Sequence, residues 1–428
     1  MKKNVFLICS LILSGIVSAQ TILKPEIPET RFSVTDYGAS ALALDNTVAI
    51  QKTIDECSAA GGGSVIIPAG TFMCGPIVMK SNINLVLDDG CILKALPYGK
   101  GNGIVEGSYP NNGKPDRYAH LISGKRVQNI KVSGKGVIEG DGSAWWTAFR
   151  ANRSIKRGCL IRFDNCRNIE ICGIRLQNAP NVHITLGRGS SDITVRDITI
   201  EAPDEAPNSD GIDVWAPNVL IYNCNIACGD DNIAMDSGTK NITIRKCNFG
   251  NGHGCSIGSY TAGIENVLVD SCSFKNTESA IRMKSNRSRG GGEKNIIYSN
   301  ITINNVRKPI FITSYYPKTP KDVTEDSAEE VTATTPSWNN IFLRNIEIYD
   351  CEYAGIIWGV PELPIRNVVF DNVKIRATKG MEINYVSNIS FINGSSISVK
   401  KGDAVKVYES APEGIDFSLS CLTSAGNA

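Results

Sequence analysis

One pattern of nine residues recurs along most of the chain, and it limits the architectures open to it. The segments "NIEICGIRL" from Asn168, "DITVRDITI" from Asp192, "NVLIYNCNI" from Asn218, "NITIRKCNF" from Asn241 and "NVLVDSCSF" from Asn266 align without gaps. Their starts lie 24, 26, 23 and 25 residues apart, and further copies begin at Asn295, Asn340, Asn367 and Asn388. Within each copy apolar and polar residues alternate, which is the period of a strand with one buried face. A unit this short cannot bury that face alone and has to stack on its neighbours. A period in the twenties built from strands, Gly and Asn, without a leucine-rich consensus, predicts an all-β chain folded as a single right-handed parallel β-helix, one coil per repeat. Cys224, Cys247 and Cys272 fall at the same place in consecutive copies, so they are expected to form an internal ladder of small apolar side chains rather than disulfides or a metal site.

A solenoid leaves its ends exposed. Ahead of the coils, "DNTVAIQKTIDECSAAGGG" places Asp45 as a helix start, Gly61 as its stop, and Ile50, Ile54 and Cys57 on one face. This predicts an N-terminal capping helix, flanked by early strands in "FSVTDYGAS" and "SVIIPAGTF". Two stretches interrupt the period. Residues 141–158 carry Trp145, Trp146, Phe149, Arg150, Arg153, Lys156 and Arg157, and residues 317–339 carry Asp322, Glu325, Asp326, Glu329 and Glu330. Both read as loops leaving the solenoid, either lining its binding face or simply solvated.

The first residues have Lys2 and Lys3, an apolar run from Val5 to Val17, then Ser18 and Ala19. That is the pattern of an export signal at 1–19, too short to span a bilayer, with a mature domain from 20 to 428 that is periplasmic or secreted. Without Lys2 and Lys3 the chain has 42 basic against 43 acidic residues, and so lacks the concentrated positive charge that nucleic-acid or membrane-surface binding needs. A monomer is expected. Of fourteen cysteines, thirteen remain in the mature chain, an odd number; Cys57 and Cys74 are candidates to pair. Three histidines and no tight Cys/His spacing argue against a zinc site or a His-rich metal centre, and no cofactor is expected.

The coils can also be registered on a second strand, in "SDGIDVW", "DDNIAMDS", "HGCSIGS" and "SAIRMKS". Two residues before the first inward apolar position stand Asp210, Asp231, His253 and Ser279. Stacking at the ~4.8 Å strand spacing would bring Asp210 and Asp231 together on the outer face, with Asp230 beside them and His253 one coil further. In "IRMK" alternation points Ile281 and Met283 inward and Arg282 and Lys284 outward. Two cations would then hold a carboxylate on a substrate while the aspartates act on the adjacent bond. Crowding three carboxylates favours keeping one protonated as an acid, which glycoside hydrolysis requires.

At this point the motifs match a known family. "NSD" at 208–210, "GDD" at 229–231, "GHG" at 252–254 and "RMK" at 282–284 resemble, in order and spacing, the four signature motifs of polygalacturonases, glycoside hydrolase family 28, and the resemblance runs from Phe32 to Tyr408. It implies an inverting, metal-free hydrolase of α-linked galacturonate in pectin, an anionic polysaccharide partner. It implies Asp230 as general acid, Asp210 and Asp231 as the pair that activates water, and His253 as a support for the acid. Arg282 and Lys284 would bind the galacturonate carboxylate on the leaving-group side, Asn208 would contact substrate through its amide, and Tyr316 would be a subsite tyrosine, with Tyr315 beside it leaving that register open. Ser209 replaces the usual Thr and Met283 the usual Ile. A rhamnogalacturonan or substituted-pectin hydrolase of the same family is the alternative substrate reading. A calcium-dependent lyase on the same fold would use acidic residues to hold Ca²⁺ and a basic residue to remove a proton, whereas a non-catalytic glycan-binding β-helix would give no reason for three carboxylates and a histidine to fall in register.

Overall fold

A computed structural model describes residues 22, 24–98, 119–318, 320, 322, 325–409, 415–416 and 421–423. The expected export signal at 1–19 lies outside the described residues. Two compact units divide the chain: Ile22–Ala234 with Gly250–Gly252, and Met235–Phe249 with His253 onward.

In the N-terminal unit, strands at Gly63–Ile67, Ile83–Leu87, Gln128–Gly134, Arg167–Cys172, Ser191–Arg196 and Val219–Tyr222 pair in parallel, each with the corresponding strand one coil later. The register stacks Ile83, Ile130, Ile169, Ile193 and Val219 directly, and each of the five is fully buried. Two further columns, from Gly70–Cys74 to Asn225–Ala227 and from Ile77–Val78 to Ile212–Val214, complete every coil. The C-terminal unit repeats the plan, stacking Ile242, Val267, Ile296, Ile341, Val368 and Ile389. Each such side chain taken out of water contributes ~1.5–3 kcal/mol, which is why a period-two pattern persists over so many repeats. The parallel β-helix expected from the repeat is the fold observed.

The structure also explains the Asn that opens each repeat. Asn82, Asn129, Asn168, Asn241, Asn266, Asn295, Asn340, Asn367 and Asn388 all have left-handed backbone, φ 53–62°, a conformation that Asn tolerates better than other L-residues. Their amides form ladders between coils, as in Asn129 Nδ2 to Asn82 Oδ1 at 2.9 Å and Asn266 Nδ2 to Asn241 Oδ1 at 2.9 Å. A second left-handed corner follows the strand, at Asn223, Lys246 and Ser271. Cys224, Cys247 and Cys272 come next and turn inward, each thiol donating to the carbonyl two residues back at 3.3 Å. The internal cysteine positions are therefore as expected. Cys57 and Cys74 do not pair: both are buried free thiols. Burial pushes the Cys57 thiol up to about 11 and Cys74 higher still, which suppresses the thiolate that disulfide exchange needs.

Helix α1, Thr47–Ala59, buries Ile50, Ile54 and Cys57 against the first coils. Asp45 Oδ1 accepts the Thr47 N–H at 2.8 Å, and Gly61 takes φ 96° just past the end. The early segment "FSVTDYGAS" is only partly strand, Arg31–Ser33, before it tightens into a 3-10 turn at Val34–Tyr37. The insertion at 141–158 is not an open loop. Residues Gly142–Ala151 form helix α2, and Trp145 and Trp146 face inward, 1% and 6% exposed. Among the described residues no helix is long and apolar enough to cross a membrane.

Candidate active site

In the N-terminal unit a polar turn leads into the third strand of the coil, as ahead of Ile184–Leu186 and Ile212–Val214, and three such turns lie in register. The His183 N–H donates to Asp210 O at 2.9 Å and the Gly211 N–H to Asp231 O at 2.9 Å, so His183, Asp210 and Asp231 occupy successive rungs. Asp231 is buried, 3% exposed, while Asp210 and Asp230 are half-buried. The sequence alignment of Asp210 with Asp231 is therefore the register of the coils.

Short polar contacts fix the turns. Ser209 is fully buried; its hydroxyl donates to Ala206 O and accepts from the Gly229 N–H, both at 2.9 Å. Only the hydroxyl is used, which is why Ser serves where the resemblance has Thr. Gly229 approaches so closely that a β-carbon there would collide with the Ala206 carbonyl. Asp230 Oδ1 accepts the Asp231 N–H at 2.9 Å, and its Oδ2 accepts Asn208 Nδ2 at 3.3 Å. Beneath them the buried Cys228 thiol faces the carbonyls of Asp230 and Asp231 at 3.4 and 3.5 Å, and burial raises its pKa well above the usual thiol value.

His183 was not singled out by its sequence. It is fully buried; Nδ1 donates to Asp210 O at 2.9 Å, and desolvation lowers its pKa to about 4. Its ring is thus a neutral support under the Asp210 turn. Helix α2 and the residues after it pack on the same turns. Trp146 Nε1 donates to Ala179 O at 3.0 Å, Arg150 to Glu205 O at 2.6 Å, and Arg157 to Pro180 O, Pro207 O and Asn208 Oδ1. Beside them opens a cleft of about 780 Å³ whose lining includes Lys125, Arg153, Lys156, Arg162, Arg188 and Trp215. Arg188 lies 4.7 Å over the Trp215 ring. The first insertion therefore lines a cationic cleft with its charged residues, while its tryptophans serve as packing.

In the C-terminal unit, His253 Nε2 lies 3.4 Å from Glu278 Oε2, a partner on the next coil that sequence reasoning missed. A β-carbon at Gly254, φ 85°, would collide with Ser279 O, so this glycine permits close stacking of the turns. On the strand Ser279–Lys284 the alternation is as expected: Ile281 and Met283 are fully buried, and Arg282 stands in register with Ser256 and Phe311. Arg282 and Lys284 are nonetheless 8% and 5% exposed. The Tyr316 ring lies 6.0 Å from the Arg282 guanidinium and 5.2 Å from Lys284 Nζ. Tyr315 turns away, its hydroxyl donating to Asp326 Oδ2 at 2.9 Å, and this resolves which tyrosine faces the cations. Asp326 and Glu329 of the second insertion pair with Arg287 at 2.7 and 3.4 Å, so part of that acidic loop is tied down internally.

The chain is similar to known proteins over most of its length. The profile of glycosyl hydrolases family 28 matches residues 57–399. An endo-polygalacturonase of Pectobacterium parmentieri is 31% identical over 417 residues, covering 88% of this chain and 96% of that protein. Among solved structures, a polygalacturonase from Erwinia carotovora ssp. carotovora superposes with a TM-score of 0.71 at 28% identity, over 87% of this chain and 99% of that one. An exopolygalacturonase from Thermotoga maritima shares the fold with a TM-score of 0.72 at 23% identity, over 89% and 96% of the two chains.

Proposed function

The chain belongs to the glycosyl hydrolases of family 28 and is a glycoside hydrolase, and from that membership we propose that it cleaves α-1,4-galacturonosidic bonds in polygalacturonan or its oligomers, with inversion. Asp230 donates its proton to the glycosidic oxygen as the bond to the anomeric carbon breaks. Asp210 and Asp231 take a proton from the water that attacks that carbon from the opposite face. Such an arrangement works with carboxyls roughly 6.5–9.5 Å apart across the reacting bond. His253, oriented by Glu278, supports the acid; Asn208 contacts substrate; Arg282 and Lys284 bind the carboxylate of the leaving galacturonate, whose ring packs on Tyr316. No metal takes part, so chelator leaves the rate unchanged, whereas a calcium-dependent lyase would lose it.

The observation that carries the substrate reading is the Arg282–Lys284 pair. Two cations on one strand, both beside the Tyr316 ring, present donors that a single substrate carboxylate can accept from, and a neutral sugar would leave both poorly used. Incubation with polygalacturonan and, separately, with rhamnogalacturonan, following product size over time, tests it: the first should yield saturated galacturonate products. Exclusive cleavage of rhamnogalacturonan would overturn the substrate and leave the hydrolase in place. We further propose that residues 1–19 are removed on export and that the mature chain acts as a monomer; a purified protein that retains Met1 would refute the first, and a larger mass in solution the second.

A further inference from the structure

The insertion that carries Arg157 has no part in the chemistry proposed so far. Arg157 is buried, 6% exposed, and its hydrogen bonds end on two matching turns. "Ala-Pro-Asn" occurs at 179–181 and again at 206–208, in successive repeats. Arg157 Nη1 donates to Pro180 O at 2.9 Å and to Pro207 O at 2.6 Å, and Nη2 donates to Asn208 Oδ1 at 2.8 Å. The Phe149 ring covers the guanidinium at 3.6 Å. Burial, with Arg153 nearby, brings the Arg157 pKa down to about 10, while Asp210 and Asp230 act in the opposite direction. A planar fork can meet three acceptors at once; a lysine ammonium at the same place has no such fixed geometry.

We propose that Arg157 is a positioning residue for hydrolysis: by holding Asn208 Oδ1 it leaves only the NH₂ end of that amide to face Asp230, and so fixes the orientation of the Asp230 carboxyl. Asn208 sits on a left-handed turn, φ 55°, at an exposed position where an untethered amide would sample both orientations. Flipped, its NH₂ would meet the Arg157 donor, a repulsive contact in place of the hydrogen bond that Arg157 Nη2 makes to Oδ1. Clamped, Asn208 Nδ2 donates to Asp230 Oδ2 at 3.3 Å while the Asp231 N–H holds Oδ1. The effect of Arg157 is thus relayed through Asn208.

This inference rests on Asp230 being the acid, and the test separates the two. Wild type, Arg157→Lys, Arg157→Ala, Asn208→Ala and the corresponding double variants are assayed on polygalacturonan for kcat and KM, with melting temperature as a folding control. Arg157→Ala should lower kcat by on the order of 10- to 10²-fold, with a smaller change in KM. Arg157→Lys should recover only part of the loss, and added guanidinium should raise the rate of Arg157→Ala but not of wild type. In the Asn208→Ala background either Arg157 change should cost no more than about twofold further. If Arg157→Ala does not fold, the cycle built on Arg157→Lys reads the same coupling. Arg157→Lys with wild-type kcat, or losses at 157 and 208 that simply multiply, would overturn the proposal. An inactive wild type, or an active Asp230→Asn, would instead overturn the functional reading on which it stands.

Discussion

Replacing Asp230 by Asn removes the dissociable proton and almost no volume, but it is not electrostatically neutral in this turn. Both carboxylate oxygens accept, Oδ1 from the Asp231 N–H at 2.9 Å and Oδ2 from Asn208 Nδ2 at 3.3 Å. An Asn at 230 can offer an acceptor to only one of these donors and sets its own NH₂ against the other. Asn208 cannot relieve the clash by flipping, because Arg157 Nη2 holds its Oδ1 at 2.8 Å. The structural cost is at most one lost hydrogen bond, ~0.5–1.5 kcal/mol, at a half-buried position. For a chain this long that lowers the melting temperature by a few degrees at most.

The catalytic cost is larger. Loss of a general acid slows the reaction on the order of 10²- to 10⁴-fold, about 3 to 5 kcal/mol of barrier. The expected outcome for Asp230→Asn is therefore a folded protein that binds oligogalacturonate, melts slightly early and releases reducing ends at less than about one-hundredth of the wild-type kcat. Calorimetric binding together with a reducing-end assay checks both halves. A folded variant with near-normal kcat would remove Asp230 from the mechanism.

Other outcomes follow from the same geometry. Proton NMR of the first product from an α-linked substrate should show the β-anomer; an initial α-product contradicts inversion. Arg282→Ala and Lys284→Ala should each raise KM and lower kcat/KM for galacturonate oligomers, since each removes a buried cation from the carboxylate site; if both are harmless, the pair does not bind substrate. The folded state holds His183 neutral, with a pKa of about 4 against an ordinary 6.5, so between those values the unfolded chain binds more protons. Stability should then fall as pH drops from 6.5 toward 4, by up to ~3 kcal/mol from this residue. Urea midpoints across that range should fall less steeply for His183→Asn than for wild type, and equal slopes would refute the assignment.

The coils were legible in the sequence because their signal is redundant. Alternation at Ile169, Ile193 and Val219 needs only a period of two, and repetition identifies the partner of each strand without knowledge of its sequence-distant contacts. The same redundancy placed Asp210 on the rung next to Asp231, and set Arg282 apart from Ile281 and Met283 on one strand. The left-handed Asn ladder was visible as a recurring letter, but its reason, backbone handedness at the corner, is not a property of hydrophobic periodicity.

What stayed illegible depends on the insertions, where repetition stops. Trp145 and Trp146 lie outside the repeat, in a stretch that reads as a loop either lining the groove or solvated, yet α2 turns both inward, and nothing in a helix of ten residues says which neighbour it will meet. Tyr315 and Tyr316 are adjacent and chemically alike; the choice between them is made by Asp326 in the second insertion, which takes the Tyr315 hydroxyl and leaves Tyr316 to the cations. Arg157 looked like one of four basic residues in a surface loop until its acceptors, two prolyl carbonyls and one amide from later coils, were in view. In a solenoid the repeat sets the rungs on which acids and cations stand. The side chains around them are aimed by the segments that break the repeat, and those have no second copy in the chain against which to be read.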